Sequence, residues 1–151
     1  MVLNLPDHLN YAILRPGAKP PTRKHPTDAG VDVYSNEPGA VVVEPHTCAI
    51  IRTGVTFEIP EGLMLQAWPK SKNNHLVGAG ILDPFYQGEV LVKIVNYSDV
   101  PLTINEGDPV AQLVLVPVLC LPLQELSSAE IHRQTSARAG TGGIVTQKNI
   151  E

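Results

Sequence analysis

The 151-residue chain carries 11 lysines and arginines against 15 aspartates and glutamates, a formal charge of −4. No basic surface that would make nucleic acid phosphates its partner is expected. The length fits one domain with a real core, and 43% apolar but only 5% aromatic residues make that core one of valine, isoleucine and leucine. Fourteen prolines are nearly twice the ordinary usage of about 5%; with 12 glycines they mark many short segments divided by turns.

The first stretch, "MVLNLPDHLNYAILRPGAKPPTRK", lacks the basic start and apolar run of a secretory signal. The most apolar stretch, "VAQLVLVPVLCLPL" at 110–123, holds Gln112 and two prolines and falls short of the roughly 18 to 20 residues a membrane span needs. A soluble, cytoplasmic protein with no membrane partner is therefore expected. Cys48 and Cys120 are expected as buried free thiols. The five histidines show no metal-ligand spacing, so no zinc is expected. The basic segment "RPGAKPPTRK" at 15–24 reads as a solvated loop.

Along the chain, period-2 segments bounded by turn residues recur, the pattern of antiparallel β structure. They are "GVDVYS" (30–35), "AVVVE" (40–44), "CAIIRTGVTFEI" (48–59), "LMLQAW" (63–68), "GEVLVKIVN" (88–96), "LTI" (102–104) and "VAQLVLVPV" (110–118). Between them stand "NEPG", "EPH", "IPEG", "NYSDVP" and "NEGDP", where Pro presets φ and Gly or Asn accepts positive φ. Only "SSAEIHRQ" reads as helical, for one or two turns, because Ser127 and Glu130 form a capping-box pair. The fold class is all-β, jelly-roll-like or barrel-like, with at most one short helix. A β domain over 1–133 is followed by a Gly-rich arm over 134–151, either disordered or ordered by a ligand or neighbour.

The strand at 110–118 sets Val110, Val114, Val116 and Val118 on one face and Ala111, Leu113 and Leu115 on the other. An antiparallel sheet usually leaves one face to water, so a strand apolar on both sides implies a second sheet or a second copy against it.

Five polar islands interrupt the β pattern. Asp28 and Asp32 flank Ala-Gly at a strand entry, where an aspartate capping its own turn explains either one. Lys70 and Ser71 in "PKSKNN" offer a charge and a hydroxyl to a phosphate, or form a solvated turn. In "GILDPFYQGEV" (80–90), Asp83 precedes Pro84 and stands three residues before Tyr86; an Asx-turn alone explains the aspartate. Gln112 is the one polar side chain in the most apolar strand, and a buried amide without partners costs on the order of 1 to 3 kcal/mol. In "ARAGTGGI" (137–144), Arg138 precedes glycines whose N–H groups can wrap an anion.

Taken in order, "DAGVDVYS", "PKS", "GAGILDPFYQGEV", "GDPVAQLVL" and "ARAGTGG" resemble the five motifs of the trimeric dUTP diphosphatase (dUTPase) family, over residues 28 to about 146. The resemblance implies a jelly-roll-like (β-clip) fold and a homotrimer with active sites at subunit boundaries. It also implies Mg²⁺-dependent cleavage of dUTP into dUMP and pyrophosphate, which limits uracil in DNA and supplies dUMP for dTMP synthesis. Carried over by position, Asp83 orients and deprotonates the attacking water beside the deoxyribose 3′-hydroxyl, and Tyr86 packs on the sugar and excludes a 2′-hydroxyl. The "HLVGAGI" hairpin (75–81), with Gly78, Gly80 and Ile81, meets the uracil edge. Ser71 donates to a phosphate oxygen, Lys70 adds charge, and Gln112 holds the α-phosphate or the water. Asp32 anchors the water shell of Mg²⁺, Arg138 clamps the γ-phosphate, and Ile144 packs on the base.

Four departures from the family pattern stand out. Lys70 replaces the usual arginine, trading a bidentate fork for a point charge; Pro109 replaces an arginine; Ile144 replaces a stacking phenylalanine; and the segment between Ser71 and Asp83 is short. Two alternatives follow from the same resemblance. The related dCTP deaminases carry a catalytic glutamate where Lys93 aligns here, and a dUTPase-like trimer can bind nucleotide without turning it over.

Overall fold

The computed structural model describes residues 5–134. Eleven strands and one helical turn follow in order: β1 Tyr11–Ile13, β2 Gly30–Tyr34, β3 Val41–Val43, β4 Cys48–Arg52, β5 Val55–Phe57, β6 Leu63–Trp68, β7 Leu76–Val77, β8 Gly80–Leu82, β9 Leu91–Val95, β10 Leu102–Ile104, β11 Pro109–Pro117 and α1 Ser128–Ile131. Their pairings are antiparallel. They make a four-stranded sheet β2-β11-β6-β8, a three-stranded sheet β4-β9-β7, and the pairs β1-β5 and β3-β10. The architecture is all-β and jelly-roll-like, with a single short helix among the described residues. The chain divides into two compact units, Met1–Cys120 with the strands and Leu121–Glu151 with α1. Among the described residues no helix is long and apolar enough to cross a membrane.

Alternation explains which faces meet. On β6, Leu63, Leu65 and Ala67 are buried, Met64 and Gln66 are half-buried and Trp68 is exposed. The inward side chains of β2 (Val33), β4 (Ile51), β9 (Val92, Ile94) and β11 (Ala111, Leu113) join them in one aliphatic core, as the low aromatic content requires. The other face of β11, with Gln112, Val114 and Val116, is only half-buried within the chain.

Where the structure differs from the sequence reading, local geometry gives the reason. The segment 48–59 is two strands, because Gly54 turns the chain with φ +70 and a Cβ there would lie 2.5 Å from both Ala18 Cβ and Asn36 Oδ1. β9 starts at Leu91, after a connection in which the Val90 N–H donates to the Val55 carbonyl at 2.9 Å. β1 went unread because its Tyr-Ala-Ile shows no polar alternation, while β7 and β8 lie within the "HLVGAGI" segment. The "HLVGAGI" segment is not a paired hairpin: β7 pairs with β9 and β8 with β6, so it crosses from one sheet to the other. Both cysteines are exposed, Cys48 because it shares the outer face of β4 with exposed Ile50 two residues on, and Cys120 because it follows the last strand. The helix forms where expected, with the Glu130 carboxylate accepting from the Ser127 N–H at 3.0 Å and from its hydroxyl at 2.7 Å.

One polar side chain inside this core ties its loops together. Asn96, fully buried, donates to the carbonyls of Val43 (3.0 Å) and Val100 (2.8 Å) and accepts from the Ser98 N–H (3.0 Å) and hydroxyl (2.8 Å). Removing it strands the buried Val43 carbonyl, a cost of about 1–3 kcal/mol, while the exposed Val100 carbonyl keeps the Ser98 hydroxyl at 3.0 Å. Asn96→Ala is expected to lower unfolding free energy in urea by about 1–3 kcal/mol, and an unchanged denaturation midpoint would show that these loops do not depend on it.

Candidate active site

The register of β11 builds the first part of the site. Gln112 stands opposite Asp32 on β2 and opposite Trp68 on β6, so the chain leaving β6 delivers Pro69, Lys70 and Ser71 beside Gln112 and Asp32. The Gln112 amide donates to the Pro69 carbonyl at 3.0 Å, which settles where its donor goes. A Cβ on Gly30 would come within 2.2 Å of Gln112 Oε1, so glycine at that position makes room for the amide. Lys70 forms an ion pair with Asp32. Asp28 closes its own turn, its N–H donating to the His25 carbonyl and its carboxylate accepting the His25 N–H, both at 3.0 Å.

These residues surround a cleft of about 490 Å³ lined by Lys24, Asp28, Gly30, Asp32, Lys70, Ser71, Lys72, Pro109 and Gln112. Its loop is fastened to the floor by side chains that the sequence reading passed over. Asn73 donates to the Pro109 carbonyl at 3.0 Å, and the buried His75 places Nε2 3.0 Å from the Val110 carbonyl. A carbonyl only accepts, so this contact is a hydrogen bond in the tautomer with its proton on Nε2. The short segment after Ser71 is thus anchored onto β11 by two hydrogen bonds.

The second part lies at the crossing from β7 to β8. Gly78, Ala79 and Gly80 rim a pocket of about 200 Å³ with Ile50, Leu91 and Lys93. Gly78 donates its N–H to the Lys93 carbonyl at 2.8 Å, and a Cβ on it would meet the Lys93 side chain at 3.0 Å. The glycine therefore serves packing over Lys93. Ile81, next along β8, is exposed.

The third part is the turn Asp83–Tyr86. The Tyr86 N–H donates to the Asp83 carbonyl at 3.1 Å; Pro84 sits second and Phe85 third, with φ 64, the position where a type II turn needs positive φ. The Phe85 N–H is held by the Ile59 carbonyl at 2.8 Å, which offsets the strain of a non-glycine residue there. The Tyr86 hydroxyl donates to the Glu89 carbonyl at 3.1 Å, and the ring lies over Gly88, where a Cβ would meet the hydroxyl at 2.3 Å. Asp83 is exposed. Tyr86 and Phe85 line a separate groove with Tyr11 and Phe57.

Glu89 is itself locked. Arg15 grips its carboxylate with two N–H groups at 2.6 and 2.8 Å, and the Gly54 N–H adds a third bond at 2.8 Å. The Arg15 hydrogen bond is the largest influence and holds the Glu89 carboxyl below its ordinary value; burial opposes it and the Gly54 N–H assists. Arg52 likewise lowers Glu37.

One cleft, then, gathers Asp32, Lys70, Ser71 and Gln112; a second holds Gly78 and Gly80; Tyr86 lines a third, and Asp83 lines none of these three. Arg138 and Ile144 lie outside the described residues. Of the residues missed in the sequence, Arg15 and Lys24 were visible as the ends of the basic segment set aside as a loop, whereas the roles of Asn73, His75 and Glu89 gave no signal because their partners are distant in the chain.

The dUTPase family profile matches residues 17–143. A deoxyuridine 5′-triphosphate nucleotidohydrolase of Picosynechococcus is 36% identical over 143 residues, covering 91% of this chain and 96% of its own. A Staphylococcus bacteriophage 80alpha dUTPase variant solved with dUpNHpp superposes with a TM-score of 0.79 at 27% identity, covering 89% of this chain and 95% of that one. A variant dUTPase from phage phi11 of S. aureus, whose structure describes coordination of a structural Mg(II) ion, gives 0.72 at 31% identity, with 80% and 97% covered.

A carboxylate whose folded value is depressed contributes stability above the unfolded value and loses it as pH falls. Stability is expected to decline as pH drops below 4.5, the ordinary glutamate value, and Glu89→Gln to flatten that acid limb in a pH series of thermal melts. An unaltered acid limb would remove the Arg15–Glu89 pair from the account.

Proposed function

The chain belongs to the dUTPase family, and from that membership we propose how its residues divide the work. The activity is that of a dUTP diphosphatase, which adds water to dUTP and releases dUMP and pyrophosphate. The observation that carries the division of labour is the cleft in which Asp32, Lys70, Ser71 and Gln112 meet, a set of one cation, one hydroxyl, one amide and one carboxylate suited to a polyphosphate.

In this reading the water oxygen attacks the α-phosphorus in line. The bond from that phosphorus to the α,β-bridging oxygen breaks, pyrophosphate leaves with the electron pair, and the water proton passes to the Asp83 carboxylate. The Asp83 carboxylate has no intramolecular hydrogen-bond partner among the described residues, so both its oxygens are available to the sugar hydroxyl and the water. Ser71 donates to a phosphate oxygen near the scissile bridge, and Gln112, fixed by Pro69, orients the α-phosphate or the water. Tyr86 stands against the sugar face, its ring immobilised by the Glu89 carbonyl and the bare Gly88; a 2′-hydroxyl would meet it. Gly78, Gly80 and Ile81 face the uracil. Positioning by rigid turns is what such a reaction asks of a protein.

The cleft's donor set was weighed against Mg²⁺. Two carboxylates, Asp28 and Asp32, stand on one wall, and among the described residues no three His, Cys, Asp or Glu side chains could cage a metal. Hard oxygen donors in so small a number fit an ion that keeps its waters and takes most remaining ligands from phosphates. Asp32 would anchor that water shell, and the bound ion would supply neutralisation of the triphosphate charge.

The separation of Asp83 and Tyr86 from the phosphate cleft on one chain supports a site completed by neighbouring copies in a homotrimer. Two further features favour this: the half-covered outer face of β11 and the exposed Leu121 and Leu123 beyond it. The arm over 134–151 would then close over the triphosphate, Arg138 clamping the γ-phosphate bidentately and Ile144 packing on the base.

Asp83→Asn is expected to leave affinity for a non-hydrolysable α,β-imido analogue of dUTP within a few-fold while turnover falls about 10²- to 10⁴-fold, the range for loss of a general base. Pyrophosphate release from dUTP, dCTP, dTTP and UTP, with chromatography of the products, checks both the substrate and the role. Undiminished turnover would remove Asp83 from the chemistry, equal rates on UTP would remove Tyr86 as the sugar gate, and deoxyuridine nucleotides formed from dCTP would mean deamination.

A further inference from the structure

We propose that Lys24 is a direct ligand of the substrate's β- or γ-phosphate, a role that none of the five motifs assigns; the proposal rests on reading the 490 Å³ cleft as the triphosphate site. Three lysines line that cleft, Lys24, Lys70 and Lys72. The ammonium of Lys70, which stands at the family's usual arginine, is engaged by Asp32, so much of its charge is already answered before a nucleotide arrives. Among the described residues Lys24 and Lys72 have no ion-pair partner. Among the described residues that line the cleft, these two supply its uncommitted positive charge.

The Lys24 backbone is fastened on both sides to the residues that form the cleft wall. Two residues before it, Thr22 bridges to Asp32, with the Thr22 N–H donating at 3.1 Å and the Asp32 N–H returning at 2.7 Å. One residue after it, His25 is bonded twice to Asp28, at 3.0 Å each. The segment that composition marked as a solvated loop is therefore tied to the Asp32 backbone on one side and to the Asp28 backbone and carboxylate on the other, and Lys24 lies between the ties. A flexible four-carbon stem ending in a point charge suits a phosphate that settles into place during binding. Arg23, next to it and of equal charge, does not line the cleft.

The test uses the full chain with Mg²⁺ present and compares Lys24→Gln with Arg23→Gln. Calorimetry would follow binding of α,β-imido-dUTP and of dUMP over a range of salt concentrations. Lys24→Gln is expected to weaken the triphosphate analogue about tenfold, in the range for a hydrogen bond to a charged group, to leave dUMP affinity unchanged, and to shallow the dependence of the analogue's affinity on salt. Arg23→Gln should change none of these, and both variants should melt at the wild-type temperature. Equal losses in the two variants would make the effect a general surface field and overturn the proposal. So would an unchanged affinity in Lys24→Gln, or a matching loss for dUMP, which would assign Lys24 to holding the loop. A wild-type chain that binds neither ligand would overturn the reading of the cleft, and the proposal with it.

Discussion

The antiparallel pairing of β11 with both β2 and β6 is the constraint on which the site depends. A strand shifted by one residue would turn Gln112 into the core and Leu113 out of it. The buried faces of Ala111 and Leu113 forbid that shift: both are fully enclosed, and exposing them would forfeit roughly 25 cal/mol for each Å² of apolar surface. Hydrophobic packing on one face of β11 thereby fixes where Gln112, Asp32 and the Lys70–Ser71 loop meet on the other. The polar contacts then refine a position that burial has already chosen.

Around that register the polar network works in short, strong links. Gln112 holds Pro69, Asn73 holds Pro109, His75 holds Val110, and Gly30 and Gly88 leave space for Gln112 and Tyr86. The Asp83–Tyr86 turn is fastened from the opposite end of the chain, through Arg15, Glu89 and the Glu89 carbonyl. Because that link starts with a bidentate charged pair, Tyr86 is held by an interaction that tolerates neutral and alkaline conditions and weakens in acid. The two parts of the site therefore have separate supports, as expected if they serve clefts on different copies.

The fold class was legible because period-2 alternation is long-lived in β6, β9 and β11, where one face is fully buried. It failed for β1, whose Tyr-Ala-Ile shows no polar alternation, for the pairing of the two- and three-residue strands β7 and β8, and at Gly54, where a turn sits inside a stretch that reads as one strand. Asp32, Ser71, Gln112, Asp83 and Tyr86 could be singled out because each is a polar interruption with a motif around it. Arg15, Asn73, His75 and Glu89 could not, since what gives them a role is a partner 35 or more residues away, and charge alone does not name a partner. Lys24 was in view but read as solvated; only its neighbours' bonds to Asp28 and Asp32 bring it to the cleft. Both cysteines show the limit of composition, since the outward position of Cys48 follows from strand phase and that of Cys120 from its place after the last strand, not from residue type.

The central claim is that one dUTP-hydrolysing site draws Asp83 and Gln112 from different copies of the chain. Its most direct test is to co-refold two inactive variants, Asp83→Asn and Gln112→Ala, in equal amounts and to measure pyrophosphate release from dUTP. In a shared site, random assortment in a trimer restores both native residues to roughly a quarter of the sites, so activity should return to about that fraction of wild type. A mixture as inactive as either variant alone would mean that each chain supplies both residues to its own site, and would contradict the account.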